Sequence, residues 1–306
     1  MSLLTVGSVA FDAIETPFGK TDKIVGGAAT YISLAASYFT QKNRMVAVVG
    51  GDFPQTMIET FHSHGINTDG LEIIEDGKTF FWSGRYHADM NSRDTLDTQL
   101  NVFEHFDPTI PESYQDTQYL MLGNMIPALQ AKTLSLLKNR PKFVMLDTMN
   151  LWIDIALDDL KGIISKVDCV TINDEEARML TGEYSLRKAA KKVMEMGPTT
   201  LIIKKGEHGA LLFKEDRIFF CPALPLEEVF DPTGAGDTFA GGFMGYLTKT
   251  DDLSFENMKR AIIYGSAMAS FCVEKFGTER ILNLTESDID SRVMEFVQLA
   301  SFEINV

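Results

Sequence analysis

Residues 231–243 read Asp231-Pro232-Thr233-Gly234-Ala235-Gly236-Asp237-Thr238-Phe239-Ala240-Gly241-Gly242-Phe243, a run of small residues passing into an apolar helical pattern. Such a run suits a phosphate. Glycines let the backbone approach an anion closely, and the free N–H groups and dipole of a helix start favour negative charge there. Asp237 falls in the first turn of that helix, where a carboxylate can take the proton of a hydroxyl attacking phosphorus. Asp237 is therefore the candidate base, and Gly234, Ala235 and Gly236 are candidates for stabilising the phosphoryl oxygens. The competing reading is a buried, N-capped helix that happens to be rich in glycine.

Other polar residues stand where strands end. Asp12 follows the first apolar run and can accept from two neighbouring hydroxyls, although a turn-forming Asp has the same look. Gly26-Gly27 precedes a helix and offers a close backbone approach. Asn150, in Asp147-Thr148-Met149-Asn150, follows the run Phe143 to Leu146 and is a candidate substrate contact. Asn173 and Glu176 have the spacing of an N-cap and its box partner. Lys204-Lys205-Gly206-Glu207-His208-Gly209 closes another apolar run with positive charge and room, or is simply a β-turn. Gly277 alone would be a helix C-cap.

Taken together and in this order, the motifs resemble the ribokinase-like, PfkB-type family of carbohydrate and nucleoside kinases, and the likeness runs over nearly the whole chain. The resemblance implies ATP and Mg2+ as cofactors and a sugar or nucleoside as acceptor. It implies that Asp12, Gly26 and Gly27 hold the acceptor and that Asn173, Lys204, Gly206, Gly209 and Gly277 line the nucleotide. Glu176 would organise magnesium through water, and Asp231 is the residue it would set beside a monovalent cation, with K+ left open. One departure concerns the acceptor. The family usually has Asn four residues after the second glycine, and here stands Tyr31, which offers a phenol or a stacking face, or is a core aromatic.

These residues need a scaffold that brings strand ends together. Apolar runs at Leu3 to Val9, Met45 to Val49, Tyr119 to Leu122, Phe143 to Leu146, Cys169 to Ile172 and Leu201 to Ile203 alternate with helical patterns. The helical patterns lie at Gly27 to Thr40, Pro54 to His64, Ala128 to Asn139, Asp174 to Leu180 and Leu186 to Met196. Alternation predicts an α/β fold, a central mostly parallel sheet with helices on both faces, with ligands beyond the carboxyl ends of the strands. A hairpin follows at Ala210 to Phe220, then helices at Ala235 to Leu247, Phe255 to Val273 and Thr285 to Ala300. Segments 12–24 and 71–103 carry strand-like stretches without helices, and are expected to form a small β-sheet projecting from a single domain spanning 1–306. The resemblance makes that sheet a lid over the acceptor and a homodimer surface. Within it, Arg85, His87, Asp89, Asn91 and Arg93 form a polar row that suits a charged acceptor, a dimer contact or a solvated strand.

Composition narrows the classes. With 306 residues, 45% hydrophobic, the chain can bury a full core. A formal charge of −15 with no Lys/Arg run argues against nucleic acid or anionic membrane as partner. Cys169, Cys221 and Cys272 lie far apart in apolar runs and read as reduced core residues. No apolar run approaches the ~18 residues of a membrane span, and the N-terminus lacks a leader pattern, so the expected location is the cytoplasm. Gly19-Lys20-Thr21 mimics the end of a Walker A loop, but Ile14 stands where the motif needs glycine. The leading expectation is an ATP-dependent kinase of a sugar or sugar-like acceptor, ribokinase- or fructokinase-like, with a nucleoside kinase of the same family as the alternative. Two further alternatives are a catalytically silent sugar or nucleotide sensor and a kinase for a heterocyclic vitamin precursor, the latter disfavoured by the lid-like insertions.

Overall fold

The structure, a computed structural model, describes residues 1–301 and 303. The chain begins β1 (Ser2–Val6), β2 (Ala10–Thr16), β3 (Gly19–Lys20), β4 (Ile24–Gly26), α1 (Ala28–Ser37), β5 (Lys42–Gly50), α2 (Gln55–Ser63) and β6 (Ile66–Ile74). It continues β7 (Phe80–Tyr86), β8 (Arg93–Gln99), β9 (Tyr119–Leu122), α3 (Pro127–Leu136), β10 (Phe143–Asp147), α4 (Asn150–Ile155) and α5 (Leu157–Ile164). Next come β11 (Cys169–Asn173), α6 (Asp174–Thr181), α7 (Leu186–Met194), β12 (Thr200–Lys204) and the hairpin β13 (Ala210–Lys214) and β14 (Arg217–Cys221). Three helices close it: α8 (Ala235–Thr250), α9 (Phe255–Cys272) and α10 (Glu286–Ala300).

Two sheets result. The larger runs β14-β13-β12-β11-β10-β9-β1-β5-β6, parallel from β12 to β6, with β13 and β14 antiparallel at one edge. Strands β1, β9 and β10 are buried at every position, as a sheet covered on both faces requires. Side chains of α3 and α5–α7 share one core with β9–β12, and α1, α8 and α9 share cores on the opposite face. From β1 the chain builds one way through β5 and β6 and the other way from β9 to β12, so the switch point lies between β1 and β9. Ligands collect outside the carboxyl ends at such a point.

The smaller sheet has the order β3-β2-β7-β8, with β4 paired to β2. Its boundaries differ from the sequence expectation. Residues 71–74 belong to β6, where Leu71 to Ile74 pair with Ala47 to Gly50 of β5, so the second contribution to the small sheet starts at Phe80. Helices α4 and α5 were not foreseen between β10 and β11. They are six and eight residues long, and only Ile153, Leu160, Ile163 and Ile164 are buried in them, too few turns for a periodicity to declare itself.

Candidate active site

Helix α8 begins at the N-cap Gly234, whose φ of 75° is left-handed. A Cβ there would also lie 2.5 Å from the Tyr31 ring, so both backbone and packing demand glycine. Ahead of it, the Asp231 carboxylate accepts from Thr233 N at 2.9 Å through one oxygen and from Gly277 N at 2.9 Å through the other. Asp231 thereby ties the small-residue loop to the turn after α9. Burial pushes its pKa up, and the two N–H bonds partly offset this. Gly277 lies in that turn, since α9 ends at Cys272.

Asp237 is in the first turn of α8, and its Oδ1 is buried without a hydrogen-bond partner. Its pKa is raised to about 7, first by burial, then by the like charge of Asp147, with Lys204 and Arg93 acting against the shift. Three parallel strands deliver the neighbours at their carboxyl ends: Asp147 from β10, Asn173 from β11 and Lys204 from β12. Lys204 Nζ donates to Asp147 Oδ1 at 3.0 Å, and lies 3.1 Å from where a Cβ on Gly236 would be. Burial works against the Lys204 charge, but Asp147, Glu176 and Asp237 outweigh it and raise the ammonium's pKa. Asn173 and Glu176 form a capping box at the start of α6: Glu176 N donates to Asn173 Oδ1 at 2.8 Å and Asn173 N to Glu176 Oε2 at 2.7 Å. Burial lifts the Glu176 carboxyl to about 7 although Lys204 opposes it.

The other wall comes from the small sheet. Asp12, on β2, is 4% exposed, and a Cβ on Gly26 would lie 1.9 Å from its Oδ2, so Gly26 is what leaves this carboxylate its place. Burial raises Asp12 to about 8, helped by Asp231 and Asp237 and opposed by the N–H of Gly27. Tyr31 is 1% exposed with its hydroxyl unpartnered, and its phenol is held well above the ordinary pKa by burial, then by Asp12. Thr233 Oγ1 donates to Tyr86 Oη at 3.1 Å, which fastens β7 to the small-residue loop. Arg93, cross-strand from Tyr86 on β8, lowers the pKa of both Asp237 and Glu176. Of the polar row, Arg85 pairs with Glu15 at 2.8 Å and His87 with Asp94 at 3.1 Å, and Asn91 Oδ1 comes within 2.6 Å of a Cβ built on Gly206.

The structure therefore brings Asp12, Gly26, Gly27, Gly234, Ala235, Gly236, Asp237, Lys204 and Glu176 into one neighbourhood, with Asp231 and Gly277 adjoining it. Asn150 makes no hydrogen bond to any of these residues. It is exposed at the start of α4, and its Oδ1 accepts from Leu151 N at 3.0 Å. The residue of that turn paired with the site lysine is Asp147, 5% exposed, which the sequence reading passed over. Its signal was present only as an acidic residue at a strand's carboxyl end. Gly209 packs under β14, where a Cβ would meet Cys221 O at 2.0 Å, while Gly206 is exposed toward the small sheet's loop.

Carboxylate oxygens around phosphate donors are the donor set a hard divalent cation takes. Among the described residues no group of three or more His, Cys, Asp or Glu is arranged to hold a metal. Also among the described residues, no helix is long and apolar enough to cross a membrane.

A family model described as pfkB family carbohydrate kinase matches residues 2–284. A cytidine kinase from Thermococcus kodakarensis is 33% identical over 253 residues, covering 80% of this chain and 88% of that protein. Among solved structures, the Methanocaldococcus jannaschii nucleoside kinase superposes with a TM-score of 0.78 at 22% identity, covering 96% of this chain and 99% of that one. The Thermotoga maritima ribokinase does so with a TM-score of 0.76 at 20% identity, covering 96% and 99%.

Proposed function

This chain belongs to the pfkB family of carbohydrate kinases, and from that premise we propose that it moves the γ-phosphoryl group of ATP onto a hydroxyl of a sugar or nucleoside. The observation that carries the reading is the orphaned Oδ1 of Asp237, a buried carboxylate oxygen without a donor in the first turn of α8. Buried acceptors in native proteins are almost always satisfied. An acceptor hydroxyl would supply the missing donor, and a base with a pKa of about 7 is poised to take its proton near neutrality.

In this reading Asp12 accepts two hydroxyls of the acceptor beside the Gly26-Gly27 turn, and their donation favours its ionised form. Asp237 removes the proton of the attacking hydroxyl. The N–H groups of Gly234, Ala235 and Gly236 stabilise charge on the phosphoryl oxygens, and Lys204, held by Asp147, faces the same oxygens from the opposite side. Asn173, Gly206, Gly209 and Gly277 border the nucleotide. Magnesium would be held by the phosphates and by water on Glu176, and it supplies charge neutralisation. Asp231 is the residue assigned to a monovalent cation such as K+, and its two backbone bonds leave lone pairs for it. The small sheet closes as a lid that excludes water from the phosphoryl group. Its strand β8 is exposed along its whole length, and we assign it to a homodimer contact. A cytoplasmic setting agrees with three free, buried cysteines. Acceptor-dependent ADP release tests the reading: Asp237→Asn should lower kcat by about 10²-fold or more and leave ATP affinity nearly unchanged. Full activity in that variant would remove Asp237 from the role.

A further inference from the structure

One face of the small sheet carries a feature that phosphoryl transfer does not use. On a strand, alternate side chains share a face, so Trp82, Gly84 and Tyr86 of β7 point the same way, and Tyr86 is bonded to Thr233 of the phosphate loop. That face therefore turns toward the loop that leads into α8. Strands β2 and β7 are parallel with Asp12 directly in register with Trp82, which puts both side chains on this same face about 5 Å apart at the backbone.

Trp82 is neither buried as core nor left loose. It is half-buried, its Nε1 donates to Thr95 Oγ1 at 3.4 Å, and its benzo edge lies along the strand over Gly84. A Cβ on Gly84 would come within 2.2 Å of Trp82 Cη2, so only glycine lets the indole lie down in this way. The Arg93 guanidinium lies 5.7 Å from the ring centroid. An oriented indole, partly open and one strand away from a diol-binding carboxylate, is a stacking platform for a flat group attached to the sugar. A free pentose has no such group.

We infer that Trp82 is the surface on which the base of a nucleoside acceptor stacks, and that the acceptor class is the nucleosides rather than free sugars. This rests on the kinase reading for the placement of the sugar at Asp12. The binding arm of the test does not depend on turnover.

The chain has two tryptophans, Trp82 and Trp152, so in a Trp152→Phe background the fluorescence comes from Trp82 alone. Titration with cytidine and adenosine should quench it, and free D-ribose should not. In kinetics with ATP and magnesium, Trp82→Ala should raise KM for nucleosides about 10- to 100-fold, the scale of one lost base–aromatic stack. It should leave kcat and the KM for ribose within about threefold, and Trp82→Phe should recover most of the loss. Absence of quenching by every nucleoside overturns the inference. So does a kcat/KM for ribose that matches or exceeds the best nucleoside, or an equal loss on ribose and nucleoside in Trp82→Ala. Quenching without acceptor-dependent ADP release would instead sink the kinase reading and leave the base platform standing.

Discussion

Asp147 offers the sharpest test of the site's electrostatics, because one substitution acts on the base by two routes of the same sign. Asp147→Asn keeps the shape of the side chain and removes its charge. The first route is direct: Asp147 is the like charge that holds the Asp237 pKa up. The second is through Lys204, whose Nζ is 3.0 Å from Asp147 Oδ1 and, once released, acts more fully on Asp237. For scale, a unit charge acting over about 8 Å at an effective dielectric of about 20 contributes about 2 kcal/mol, and 1.36 kcal/mol corresponds to one pKa unit. Burial remains as the largest cause, so the base should come to rest about 1.5 units or more below its present value of about 7. A general base must be ionised to work, so activity is lost as pH falls through its pKa, and the acid limb should move down. The assay is the pH profile of kcat/KM, which reports the free enzyme's groups, from about pH 5 to 9 with saturating magnesium. Lower absolute activity is expected as well, since Lys204 loses its anchor. An acid limb that stays where it was, or moves up, refutes the reasoning whatever happens to the maximal rate.

Two further outcomes follow from the cleft and its lid. Asp12 is buried with its pKa raised to about 8, so between the ordinary carboxylate range and pH 8 the unfolded chain gains from ionisation and native stability falls as pH rises. Asp12→Asn should therefore be more stable than the parent by a margin that grows from about pH 4 to 8, to at most about 6 kcal/mol, while acceptor binding is lost; a margin independent of pH in chemical denaturation would contradict it. The exposed β8 strand, with Leu96 49% and Leu100 42% exposed nearby, should be covered in a homodimer, and Leu96→Lys should shift the mass measured by light scattering at micromolar concentration to that of the monomer. A parent protein already monomeric under those conditions removes the lid from that role.

The small-residue turn proposed to receive phosphate was legible because its demands are local. Anion binding by backbone N–H groups needs small residues in sequence, and the turn at Gly234 needs left-handed φ, so Gly234 to Asp237 announce themselves in one stretch. Strand ends were legible for the same reason: buried parallel strands read as short apolar runs, and the first polar residue after each is a candidate. The surroundings of Asn150 were hidden by an element, not by the chemistry. Helix α4 was too short to detect, and it is what turns Asn150 outward. Asp147 was missed because its meaning lies in a partner 57 residues away.

The proposed acceptor half was not legible, because it is built by strand pairing between distant segments. Nothing in the order of residues says that β2 runs parallel to β7 with Asp12 against Trp82, or that the indole lies over Gly84. The same holds for Tyr31. As a lone departure from a family pattern it was ambiguous between ligand contact and core. In the fold it is both buried and unsatisfied: its ring fills the space beneath Gly234, and its hydroxyl, without a partner, is pressed by Asp12 electrostatically. In the proposed reading, Tyr31 stands at the acceptor wall and also supports Gly234, the first residue of the phosphate cradle, and so joins the two halves of the site. Changes of acceptor at this wall therefore cannot be made independently of the geometry that receives the phosphoryl group.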